Sequence, residues 1–148
     1  MIDKSKNAYQ TMESRKANCA QSVLTALCED FGLKKDTAYS IAQGFGGGMH
    51  INSTCGAVTG AFMVLGLANP VSKDNPRGSM DKFGALVAEF TRKFKELHGA
   101  LNCTELLGYD VTKPEQAAEA HEKGLFLTKC PGFVGDAVKI MEDLLKLP

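Results

Sequence analysis

The chain has 148 residues, 44% of them hydrophobic and 23% charged, with 17 acidic side chains balanced by 17 basic ones. That is long enough to bury a core, and it carries neither the basic surplus of a nucleic-acid binder nor an apolar run that could span a bilayer. The polar opening residues lack the apolar stretch of an export signal, so a cytoplasmic protein is expected.

Glycine- and proline-marked breaks divide the sequence into helical segments, with no strand-like alternation of useful length. A first helix is predicted over residues 6–31, broken near Asn18. Its later apolar positions, Val23, Leu24, Leu27, Cys28 and Phe31, recur every three or four residues, and Gly32 stops it. A second helix fits residues 36–43. The run GFGGGMH at 44–50 is too glycine-rich for regular structure. A third helix starts near Cys55 and reaches about Leu67, ahead of Asn69-Pro70.

After the polar loop at 69–79, Ser79 offers an N-cap for the clearest helix. Met80, Phe83, Leu86, Val87, Phe90, Phe94 and Leu97 fall on one face of it, and Gly99 ends it. A short helix is expected from Asn102 or Cys103 to Gly108. Another runs from Thr112 or Lys113 to just before Gly124, with Pro114 in its first turn. The last starts at Cys130-Pro131 and turns Phe133, Val134, Ala137, Val138, Met141, Leu144 and Leu145 inward. The predicted fold class is all-α: a compact single-domain bundle of six or seven helices over residues 1–148, with a glycine-rich loop.

Of the five cysteines, Cys19, Cys55, Cys103 and Cys130 each fall at or beside an expected helix start, while Cys28 lies on an apolar stripe and reads as core. A helix start presents unpaired N–H groups and the positive end of the dipole, which lowers a thiol's pKa. Thiolate is both the nucleophile of disulfide exchange and the ligand form for iron or zinc. Plain burial is the alternative for any one of these residues. Around Cys55, the small residues Gly56, Ala57 and Gly60 allow close approach, and Gly46, Gly47 and Gly48 add N–H groups that could reach sulfur. Ala57 and Gly60 also suit tight helix packing. His50 reads as an exposed loop residue, and His98 and His121 as structural or solvated.

Cys19, the hexapeptide Cys55-Gly56-Ala57-Val58-Thr59-Gly60, Cys103 and Cys130 together resemble the redox-active protein family named for its C, GCAxxG, C, C pattern. Cysteine and glycine stand in the reverse order in the hexapeptide here. The resemblance implies four functional cysteines, carried over as Cys19, Cys55, Cys103 and Cys130. It also implies a prosthetic group such as an iron–sulfur cluster bound by them, and work alongside oxidoreductases. The expected function is therefore redox chemistry with metal ligation by these four thiols. An oxidoreductase or electron-transfer protein would be the partner, and assembly as a homodimer is compatible with that. Thiol–disulfide exchange, a structural zinc site and a helical binding module with incidental cysteines are the alternatives. No nucleic-acid or membrane partner is expected.

Overall fold

Capping residues fix most of the helix boundaries in the computed structural model, which describes residues 2–148. Asp3 accepts from the Lys6 N–H to open α1 (Lys4–Glu13). Asn18 and Gln21 close a reciprocal capping box that opens α2 (Cys19–Leu27). Next come α3 (Lys35–Ala42), α4 (Gly56–Ala68) and the long α5 (Pro76–His98). Then follow α6 (Cys103–Leu107), α7 (Pro114–Glu122), α8 (Leu125–Thr128) and α9 (Cys130–Leu145). Gly32, Gly99 and Gly108 stop their helices in the left-handed conformation that glycine adopts at little cost. The described residues hold no strand, only an isolated bridge between Thr54 and Asn102.

The all-α expectation holds, and the boundaries differ for local reasons. The expected break near Asn18 is present, since the Asn18 cap needs extended backbone (ψ 177°), and the first of the two helices starts at Lys4, two residues earlier than expected. Cys28–Phe31 then tightens into a 3₁₀ turn. Helix α5 begins three residues before its expected Ser79 cap. Asn75 accepts from the Gly78 N–H and Pro76 occupies the first turn, leaving Ser79 inside the helix. The four-residue α8 carries no capping signal in the sequence, and its N-cap, Gly124, is left-handed.

One continuous core joins the helices. Helix α1 lies along α9, and α2 lies on α4. Phe90 stacks on Phe94 at 5.8 Å between centroids, and Phe62 meets Phe90 edge-on at 5.9 Å. Cys28 is fully buried in this core, and its thiol donates to the Thr25 carbonyl across 3.8 Å.

The α2–α4 contact depends on two glycines. A Cβ on Gly56 would stand 2.8 Å from the Ala20 nitrogen, and one on Gly60 2.9 Å from the Ala20 oxygen. Both neighbours are backbone, which cannot swing aside. Gly60→Ala is therefore expected to lower stability by about 1–3 kcal/mol, the usual penalty of overpacking. Gly84 on α5 has open space around it, so Gly84→Ala should be neutral or stabilising by up to about 1 kcal/mol. Urea unfolding of both variants checks the pair; equal midpoints would mean that the helices are not held as close as described.

Candidate thiol site

Local structure delivers four sulfurs to one end of the bundle. Cys19, Cys103 and Cys130 are the first residues of α2, α6 and α9, and Cys55 is the N-cap of α4. Two backbone hydrogen bonds tie the Cys55 and Cys103 segments together. The Cys55 N–H donates to the Leu101 carbonyl (2.8 Å), and the Cys103 N–H to the Ser53 carbonyl (2.7 Å). Buried Asn52 reinforces the pair, donating to the Tyr109 carbonyl (3.2 Å) and to the Thr104 hydroxyl.

The glycine-rich segment curls beside this bridge as a left-handed turn. Gly47, Gly48, Met49 and His50 have φ of 59°, 62°, 61° and 59°. Met49 and His50 pay roughly 1–2 kcal/mol each for that conformation, which only glycine takes freely. The turn sets the Gly47 N–H against the Cys19 sulfur.

The electrostatics of the four thiols are unequal. The Cys55 thiol and the N–H groups of Gly47, Cys19 and Gly56 lie near enough to the Cys19 sulfur to favour its charged form. Together they overcome the cost of burial and lower Cys19 to about 7, so the first proton lost from the pair leaves its charge there. Next to Cys19, and buried beside that charge, Cys55 is held well above the usual thiol range. Burial, with Cys19 as a near neighbour, pushes Cys103 up to about 11. Burial, reinforced by Cys19 and Cys103 and eased by Arg15, pushes Cys130 up to about 12.

Cys19, Cys103 and Cys130 share the wall of a cavity of about 260 Å³, which also includes Gly47, Arg15 and Phe126. Cys55 is buried beside Cys19 and is not part of that wall.

The expected ligand set of four thiolates is not the arrangement observed. Among the described residues no group of three or more His, Cys, Asp or Glu side chains could hold a metal ion. Cys19 and Cys55 are near neighbours, and Cys103 and Cys130 line the cavity with Cys19, without forming such a group. The supporting glycines divide by role. Gly47 and Gly56 send N–H groups to Cys19, where the sequence reading had them serving Cys55. Gly46 makes room for the Asn18 side chain, Gly48 for the Ser53 backbone, and Gly60 for α2.

His50 is exposed, with Nε2 3.2 Å from the Gln43 carbonyl, away from the sulfurs. His98 packs on Phe94 and Phe133 and faces Asp136 at 3.1 Å, a contact too poorly aligned to count as a hydrogen bond. Sequence reasoning missed Arg15. Its only signal was the charged, non-periodic stretch before Asn18.

Residues 17–144 match the family model described as "Putative redox-active protein (C_GCAxxG_C_C)". The chain belongs to this family. The match runs from ahead of Cys19 to beyond Cys130 and so takes in all four thiols of a C_GCAxxG_C_C protein. No curated protein and no solved structure matches the chain.

Alkylation by iodoacetamide, followed cysteine by cysteine, reads the inequality directly. Cys19 should react at a rate that climbs through pH 7, while Cys103 and Cys130, at about 11 and 12, lag behind it. A hydrogen-bond donor stabilises the thiolate, so removing it in Cys55→Ala should shift the Cys19 curve to higher pH. Four overlapping curves would contradict the assigned electrostatics.

Proposed function

We propose that this C_GCAxxG_C_C protein is a two-electron thiol–disulfide redox protein, with Cys19 as the nucleophile and Cys55 as its resolving partner. The observation that supports the reading is the closeness of Cys55, the N-cap of α4, to a Cys19 sulfur that also has amide N–H groups around it. On this reading the nucleophile and its resolving thiol are neighbours before any substrate arrives. Lowered pKa and a neighbouring thiol are what disulfide exchange requires.

The chemistry balances in two displacements. The Cys19 thiolate attacks one sulfur of a disulfide R–S–S–R, forming a Cys19–S bond as the substrate S–S bond breaks and RS⁻ leaves. Cys55 then gives its proton to that RS⁻ and attacks the Cys19 sulfur. A Cys19–Cys55 disulfide forms, and the second RS⁻ departs and takes a proton from solvent. The protein loses two electrons and the substrate becomes two RSH. An external dithiol small enough to enter the cavity restores the reduced pair by the reverse exchange.

Cys55→Ser separates the two displacements. Serine still donates to Cys19 but cannot resolve, so a mixed disulfide should accumulate on Cys19 and appear in the intact mass, while the wild-type chain releases it. Rapid release from Cys55→Ser would overturn the pairing. Stoichiometric iron and sulfide, lost on mutation of the four cysteines, in protein purified without oxygen would overturn thiol exchange in favour of a cluster.

A further inference from the structure

The thiol cavity has one charged side chain in its wall among the described residues, and that side chain is oddly placed. Arg15 follows the C-cap of α1 with φ 62°, a position where glycine is the usual occupant. Its N–H donates to the Met12 carbonyl (3.0 Å), closing the end of the helix. The guanidinium lies over the Phe126 ring, 5.6 Å from its centroid. Among the described residues no carboxylate pairs with it. A cation thus stands at the exposed side of the cavity, steadied by an aromatic face and with its hydrogen-bonding fork unspent.

Met12, Leu107, Val111 and Phe126 give the same wall an apolar stretch shared with the thiols. Cys19, Cys103 and Cys130 are 9%, 8% and 7% exposed. A disulfide on the surface of a folded partner would not reach a sulfur so enclosed, whereas about 260 Å³ admits a small organic molecule. Hydrogen peroxide is smaller than the space and would find few polar partners on those walls.

We propose that the substrate is a small carboxylate-bearing disulfide, its carboxylate held by Arg15 and its S–S bond presented to Cys19 along the apolar wall. This rests on the thiol-exchange reading above and names its substrate class. The electron balance is the one already given, with R carrying the carboxylate. Arg15 is the specificity-determining residue: it touches the substrate's charged end and takes no part in the exchange.

Three disulfides of similar size test this on the full chain: dithiodipropionate (anionic), hydroxyethyl disulfide (neutral) and cystamine (cationic). The rate of each with Cys19 is compared between wild type and Arg15→Gly. Glycine suits the left-handed position better than arginine, so the variant should melt no lower than wild type. Loss of one charge-assisted pair predicts a fall of about tenfold or more for dithiodipropionate. Any change in Cys19 itself would move all three rates together, so the anionic-to-neutral ratio isolates Arg15. A ratio unchanged in Arg15→Gly, with Cys19 still reactive, overturns the substrate class and leaves thiol exchange standing. Cys19 inert to all three disulfides overturns thiol exchange and the substrate class with it.

Discussion

The structure turns on how closely α4 approaches α2. Gly56 and Gly60 allow that approach by having no side chain to place against the Ala20 backbone. The approach has a chemical consequence as well as a packing one. It brings the N-terminus of α4, with Cys55 as its cap, against the first residue of α2, which is Cys19. A thiol that burial alone would push upward is instead lowered by a neighbouring thiol and, in part, by the N–H of the same glycine that permits the contact. Packing and reactivity therefore share one residue, and a side chain at Gly56 would disturb both.

Four sulfurs in one region do not behave alike, because burial and hydrogen bonding act on them in opposite directions. Only Cys19 receives enough N–H and S–H donors to offset desolvation. Cys103 and Cys130 share the cavity without that help, and each also faces the charge that Cys19 would carry. One thiolate with a thiol neighbour is the arrangement that stepwise exchange uses. The left-handed turn from Gly47 to His50 belongs to the same economy. Its left-handed Met49 and His50 follow directly on Gly47, whose N–H lies near the sulfur.

Helices and stop signals were legible in the sequence wherever local chemistry sets them. Asn102, Pro114 and Pro131 mark helix starts, Gly32, Gly99 and Gly108 mark helix ends, and the apolar spacing of α9 marks its inner face. The placement of cysteines at helix starts could be read for the same reason, and so could the burial of Cys28. What could not be read was direction across space. The glycines around Cys55 were seen to clear room, but the group that fills it is the start of α2, far away in the sequence. The bridge between Thr54 and Asn102 joins single residues and leaves no periodic trace. Arg15 was hidden because an arginine in a position suited to glycine looks like any other charged loop residue until the fold sets it over Phe126.

The central claim is that Cys19 and Cys55 form one redox unit. Peptide mapping of the non-reduced chain after oxidation by a single equivalent of disulfide addresses it most directly. The account predicts one new cross-link, between the peptides carrying residues 19 and 55, with Cys28, Cys103 and Cys130 recovered as free thiols. A first cross-link joining Cys103 to Cys130, or Cys19 to either of them, would contradict it.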